Sequence, residues 1–264
     1  MRIALCQIAV TRDPKTNLER AREALAAAAA DRADLAVFPE ATLVRFGRDV
    51  TDAAEPLDGP FVSGLAEAAR EHGVAVLAGT FEPSGDGRVC NTAVALGADG
   101  SLAGAYRKIH LFDSFGARES ELVHPGDTPL VVELAGLRIG VITCYDVRFP
   151  ELARRLVDLG AEAFAVIAAW GSGPMKEDHW ITLVRARAIE NTMWTIAVGQ
   201  APAPEFRDGF GVGRSMLVDP MGVVRTDLGA DATVRVAELD PDVTERVRAT
   251  LPCLEHRRLG VNGS

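Results

Sequence analysis

The sequence predicts an α/β (α+β) chain whose mixed sheets are covered by helices. Three observations predict it. Short runs rich in Val, Ile and Ala, bounded by Gly, Pro or Asp, recur along all 264 residues, as buried strands do. Stretches with apolar residues at helical spacing separate several of these runs, as crossover units require. Two turns rich in Asp and Gly join neighbouring runs directly, as hairpins require.

The first run, Ile3–Val10, is expected to be a strand. A helix follows, started by Asp13-Pro14 or by Asn17, with Leu18 and Leu25 on one face of an alanine-rich stretch. Leu35–Phe38 is a strand, 61–72 a helix, and Val74–Phe81 and Thr92–Leu96 are strands. The last of these runs into a hairpin turn at Ala98-Asp99-Gly100. Leu130–Leu134 and Ile139–Cys144 are strands. The helix over 149–159 has Pro150 in its first turn, Leu152, Leu156 and Leu159 on one face, and Gly160 as its stop. Strand Ala163–Ala168 and a helix over 176–192 come next. Strands Trp194–Val198, Ser215–Val218 and Thr233–Leu239 complete the chain, with a second hairpin turn at Asp219-Pro220-Met221-Gly222. No shift of composition marks a linker, so 1–264 is expected to be one domain.

Composition removes several function classes. Hydrophobic residues make up 48% of the chain, which excludes disorder. The apolar run Ala163–Trp170 is far shorter than the roughly 20 residues that a bilayer requires, so no membrane partner is expected. With 37 Asp+Glu against 28 Lys+Arg, a net charge of -9 argues against a nucleic-acid partner. Met1-Arg2-Ile3-Ala4-Leu5 has the shape of a strand rather than a signal peptide, which points to a cytoplasmic location. The cysteines, Cys6, Cys90, Cys144 and Cys253, are scattered and form no CxxC pair. A structural zinc site is therefore not expected, and free thiols suit a reducing compartment.

Three segments place reactive residues where a strand gives way to a loop, the usual position of active sites on layered α/β folds. Cys144, in Ile142-Thr143-Cys144-Tyr145-Asp146-Val147-Arg148-Phe149-Pro150-Glu151, ends an apolar strand just before a helix. A thiol there feels the positive helix end, which lowers its pKa, although a cysteine is also a small hydrophobe at home in an inert core. Glu40, after Val37-Phe38-Pro39, is either a desolvated carboxylate with a raised pKa, suited to proton transfer, or a helix cap. Lys108 and His110 lie in Tyr106-Arg107-Lys108-Ile109-His110-Leu111-Phe112-Asp113, which alone is compatible with a solvated strand end. Glu119-Ser120 alone suits a turn, and Arg148 suits either a substrate carboxylate or an ion pair with Asp146 or Glu151.

Taken together, these segments resemble the nitrilase, or carbon–nitrogen hydrolase, superfamily. The match covers Met1 to about Arg258, with Glu40, Lys108 and Cys144 each standing in one of its three motifs in order. His124-Pro125-Gly126, Gly173-Pro174, His179-Trp180 and Arg185-Ala186-Arg187-Ala188-Ile189-Glu190-Asn191 add further matches. The resemblance implies a four-layer α-β-β-α sandwich and a homodimer or higher homo-oligomer, with the helices near 149–159 and 176–192 as interface candidates. It implies Cys144 as nucleophile, Glu40 as proton carrier, and Lys108 with the Tyr145 N–H as stabilisers of the oxyanion. Glu119 would position Lys108 and substrate, and no metal or organic cofactor is implied.

The segment from Tyr145 to Glu151 most resembles the branch of omega-amidases and deaminated-glutathione amidases. That implies an amidase releasing ammonia from a small carboxylate-bearing amide. An N-carbamoyl-amino-acid amidohydrolase is the alternative, since an arginine in the place of Arg148 holds the substrate carboxylate there. A nitrilase, or a non-catalytic scaffold on the same fold, stands further off. Relative to omega-amidases, 114–118 is shorter and 175–178 longer, and both are expected at the pocket mouth. Arg118, Trp170 and Lys176 are candidate substrate contacts, and Phe115 with Trp170 suggests an apolar wall.

Overall fold

Strand β1 (Arg2–Gln7) shows how the sequence builds layers. Successive side chains of a strand point to opposite faces. Ile3 and Leu5 enter the core between two sheets, whereas Ala4 and Cys6 enter a second core beneath helices. The structure, a computed structural model, describes residues 1–203 and 210–259. Residues 204–209 and 260–264 of the expected 1–264 domain lie outside the described ones.

Helix α1 (Pro14–Ala30) follows β1, then β2 (Leu35–Val37), the single turn α2 (Val50–Ala53) and α3 (Pro60–His72). Strands β3 (Ala75–Pro83), β4 (Val89–Leu96) and β5 (Leu102–Arg107) form a meander. Strands β6 (Val131–Leu134) and β7 (Leu137–Thr143) make a hairpin, and α4 (Pro150–Asp158), β8 (Ala163–Ala168), α5 (Lys176–Asn191) and β9 (Trp194–Gly199) continue in crossover units. Strands β10 (Met216–Val218), β11 (Val224–Asp227) and β12 (Thr233–Glu238) and helix α6 (Pro241–Thr250) finish the chain.

Two six-stranded sheets result, in the orders β12-β1-β2-β3-β4-β5 and β11-β10-β9-β8-β7-β6. Each has a parallel centre and antiparallel edges. Their apolar faces meet in one core, with α1 and α3 outside the first sheet and α4 and α5 outside the second. This is the expected four-layer α-β-β-α sandwich. Among the described residues no helix is long and apolar enough to cross a membrane.

Local chemistry explains most boundaries. Asp13, not Asn17, caps α1: its carboxylate accepts from the Lys15 and Thr16 N–H groups, with Pro14 at the first helical position. Asn17 instead is buried and bonds Thr11 and the Leu43 carbonyl. The expected strand Ile3–Val10 stops at Gln7, whose side chain bridges to Ser215, Gly229 and Asp231. Both predicted hairpin turns form, with Gly100 and Gly222 at φ 78°. Helix α6 was not expected, although Asp240 caps it and Pro241 opens it.

Candidate active site

The ends of β2, β5 and β7 bring Glu40, Lys108 and Cys144 together at one edge of the sandwich. Lys108 Nζ lies 3.0 Å from Glu40 Oε1 and 2.9 Å from each oxygen of Glu119. All three side chains are at most 4% exposed. Glu40 Oε2 accepts from the Ala169 N–H at 2.7 Å, and its carboxylate lies beside the half-buried Cys144 thiol. Glu119 Oε2 accepts from the Phe112 N–H at 2.6 Å. The sequence-predicted quartet of Glu40, Lys108, Glu119 and Cys144 therefore shares one site.

Backbone features aim these groups. Glu40 ends a turn in which Ala41 is left-handed (φ 57°), and Cys144 is itself left-handed (φ 51°). Non-glycine residues hold such conformations only when the surroundings dictate them. At Glu40 the dictating neighbour is Gly79, where a Cβ would sit 2.7 Å from the Glu40 Cα. Gln200 secures the same turn by donating to the Glu40 carbonyl at 2.8 Å. At Lys108, the Gly126 N–H donates to the Lys108 carbonyl, and a Cβ on Gly126 would lie 2.9 Å from the Arg107 carbonyl carbon.

Cys144 opens a 3-10 turn, Cys144–Arg148, that separates β7 from α4. Asp146 in that turn accepts from the Thr143 N–H, the Tyr106 hydroxyl and the His110 N–H, and its carboxylate bonds the His110 ring. His110 also stacks on Phe149, with centroids 3.7 Å apart. His110 and Asp146 thus tie the lysine segment to the cysteine segment and touch no reacting atom. Asp146 is occupied, and Arg148 pairs with neither it nor Glu151.

Asn91 is a site residue that the sequence reading passed over. Its Nδ2 donates to Glu40 Oε1 at 2.8 Å and to Glu119 Oε1 at 3.2 Å, bridging two carboxylates that would otherwise repel. Its signal was there to read: a lone amide inside an apolar strand must find buried partners.

Electrostatics corrects two expectations. Burial pushes the Glu40 carboxyl up, but the Lys108 ammonium, the Ala169 N–H and the Cys144 thiol outweigh it and hold the group below the ordinary carboxylate range. Burial opposes charge on Lys108 as well, yet Glu119 and Glu40 keep its pKa well above the usual lysine value. Burial and the Glu40 carboxylate push Cys144 well above the ordinary cysteine range, more than Lys108 lowers it. The cause is charge balance. Two carboxylates and one ammonium already carry one net negative charge, and a thiolate would add a second in a dry site. The expected helix end gives no relief, because α4 begins at Pro150, beyond the 3-10 turn. The resting site holds a neutral thiol against an ionised Glu40. The other thiols are apart from this cluster: burial pushes Cys6 and Cys90 upward, and Cys253 lies against the Glu190 carbonyl.

A cavity of about 350 Å³ opens above the quartet. Tyr145, expected to stabilise the oxyanion, and Trp170, a candidate substrate contact, line it, as do Phe115, Arg118 and Lys176 from the two loops expected at its mouth. Met175 is exposed instead. Arg148 stands behind the wall, its guanidinium 5.0 Å from the Trp170 ring and 5.8 Å from the Tyr145 ring, with His179 Nδ1 at 3.4 Å. Among the described residues no group of His, Cys, Asp or Glu is placed to hold a metal ion.

Fold and quartet together define a hydrolase of carbon–nitrogen bonds. The chain matches the carbon–nitrogen hydrolase family model over residues 2–249 and belongs to that family. It is 42% identical to a hydrolase of Mycobacterium tuberculosis, over 97% of this chain and 95% of that protein. It is 36% identical to the deaminated glutathione amidase of Escherichia coli O157:H7, over 98% and 97% of the two chains. Among solved structures it is similar to the amidase of Nesterenkonia sp. AN1, seen with acrylamide added at the active-site cysteine. That match has a TM-score of 0.80 and 27% identity and covers 96% of this chain and 98% of the other.

Proposed function

We propose that the chain is a cysteine-dependent amidase that releases ammonia from a small carboxylate-bearing amide through a thioester on Cys144. One observation carries this function: Glu40 bonds Lys108 and the Ala169 N–H and lies beside the Cys144 thiol, so a base, a cation and a nucleophile meet at one point. The likeness to amidases, one with a modified active-site cysteine, supports it.

The resting charges set the order of events. Sulfur attacks the amide carbon as its proton passes to Glu40, so that no free thiolate accumulates beside two carboxylates. Glu40 becomes neutral and loosens its hold on one Lys108 N–H. That N–H turns to the oxygen that is gaining charge, joined by the Tyr145 N–H, a first-turn donor without a partner inside the turn. Glu40 then delivers its proton to the departing nitrogen, the C–N bond breaks and ammonia leaves. Water enters, gives a proton to Glu40 and attacks the thioester. The C–S bond breaks, the proton returns to sulfur and the carboxylic product departs.

The test is ammonia release from a panel of primary amides, N-carbamoyl amino acids and nitriles, read beside carbon dioxide. The expected result is ammonia alone from amides, an acyl adduct on the Cys144 peptide, and a loss of activity on the order of 10⁴-fold or more in Cys144→Ala. Carbon dioxide released with the ammonia would move the assignment to the carbamoylase branch, and full turnover by Cys144→Ala would remove the nucleophile. A reducing, cytoplasmic setting suits the thiol chemistry. We expect a homodimer joined through α4 and α5, where Ile189 and Met221 leave apolar surface exposed. Sedimentation at the monomer mass would argue against it.

A further inference from the structure

The cavity carries a second charged feature that the chemistry above does not use. Lys176, the first residue of α5, lines the pocket mouth with its Nζ 3.9 Å from the Phe115 ring centroid and 4.9 Å from that of Phe112. Among the described residues it has no carboxylate partner. Burial and the nearby Arg148 guanidinium both push its pKa down, and no carboxylate offsets them. Arg148 likewise has rings and His179 for company rather than an anion. Two further cations of the lining differ: Arg118 is paired with Glu121 at 3.4 Å, and Lys108 with Glu40 and Glu119.

The position is built rather than incidental. Phe112 is anchored by its N–H on Glu119 at 2.6 Å, and the loop carrying Phe115 is closed by two hydrogen bonds from Ser120 to Asp113. The Lys176 carbonyl accepts from Trp170 Nε1 at 2.8 Å, which fixes the start of α5 against the pocket wall. The cavity that holds both Lys176 and the quartet is otherwise largely aromatic and apolar, with Phe46, Leu122, Tyr145 and Trp170 in its lining. A partly desolvated cation beside a second cation is stabilised by an incoming anion. An apolar and aromatic lining favours an apolar chain on the substrate that carries that anion.

We infer that Lys176 is the specificity residue that reads an anionic group at the far end of an apolar acyl chain. The substrate is then an amide whose carboxylate is separated from the scissile carbonyl by several methylene groups or a ring, rather than a short polar acid amide. The turnover arm of the test rests on the amidase proposed above, and the binding arm does not.

For turnover, the monoamides of succinic, adipic and suberic acids are compared with the uncharged amides hexanamide and octanamide. The wild-type ratio of kcat/KM for suberic monoamide over octanamide is expected to exceed one, with adipic and suberic monoamides ahead of succinic monoamide. Lys176→Met keeps the apolar stem and should lower that ratio about tenfold or more, chiefly through KM, while Lys176→Arg should preserve it. For binding, 4-phenylbutyrate should raise the melting temperature of Cys144→Ala, and the added Lys176→Met change should abolish the rise. An unchanged ratio in Lys176→Met, or preference for succinic monoamide, overturns the inference. Absence of ammonia from every amide, with the 4-phenylbutyrate shift intact and dependent on Lys176, overturns the amidase proposal and leaves the anion site standing.

Discussion

At the floor of the pocket every charge has a partner. Lys108 meets Glu40 and Glu119, and Asn91 bridges the two carboxylates. At the mouth, Lys176 meets aromatic faces, and behind the wall Arg148 meets aromatic faces and a histidine. The floor is buried and its charged groups are mutually bonded. The mouth holds charge that an anion from outside can complete. Chemistry is set where partners are saturated, and selectivity where they are lacking.

Substitutions at the floor break this contrast most sharply. Glu40→Gln is expected to cost about 10³- to 10⁴-fold in kcat, since the site loses its proton carrier. It should also lower the pH midpoint of iodoacetamide labelling at Cys144, because the anion that holds the thiol neutral is gone. Peptide mass spectrometry across pH reads the midpoint, and an unmoved or higher value would contradict the charge balance described for the quartet. Lys108→Met should cost roughly 10²- to 10³-fold in kcat, the worth of one oxyanion donor. Because Glu40 and Glu119 would then face each other without a cation, thermal stability at neutral pH should fall more than at pH 5. Equal losses at both pH values would mean that the carboxylates are not coupled through Lys108.

A smaller effect sharpens the comparison from the positioning side. Asn91→Leu keeps the shape of the side chain and removes the bridge, with a kcat loss of up to about 10²-fold from misplaced carboxylates. Its distinguishing mark is the pH profile. Glu40, held below its ordinary value of 4.5, supports activity and stability above that value and loses both as pH falls through its lowered pKa. Losing the Asn91 donor raises that pKa, so the acid limb should move to higher pH. A uniform loss of activity with an unmoved acid limb would make Asn91 a packing residue only. The alkaline limb should stay above the ordinary cysteine value of 9.0, where the thiol would begin to ionise.

The strands were legible because burial on both faces makes continuous apolar runs, as in β3 and β8, and caps such as Asp13-Pro14 are local signals. Strands β5 and β11 were not, since both are largely exposed or half-buried and few of their residues are strongly apolar. Of the site, Glu40, Lys108, Glu119 and Cys144 stood in recognisable motifs, and the motifs could be read without knowing any distance. What the residues alone could not decide was protonation. Each of these groups, taken alone, has a plausible shift of either sign, and only the distances among them settle it. Lys108 sits within 3.0 Å of two carboxylates, which ionises Glu40, and burial together with that Glu40 carboxylate keeps the Cys144 proton on sulfur.

The same division holds for the whole molecule. Period and caps pointed to mixed sheets covered by helices, and the resemblance carried by the ordered motifs implied the four layers and named the candidate reacting side chains, because these signals depend on neighbours within a few residues. Tertiary structure decided that Asn91 joins the quartet from 51 residues away from Glu40, that Arg148 stands behind Trp170, and that Lys176 lacks a carboxylate. Pairing of charges across the sheets is a matter of distance in space, and distance in space is what spacing along a chain does not encode.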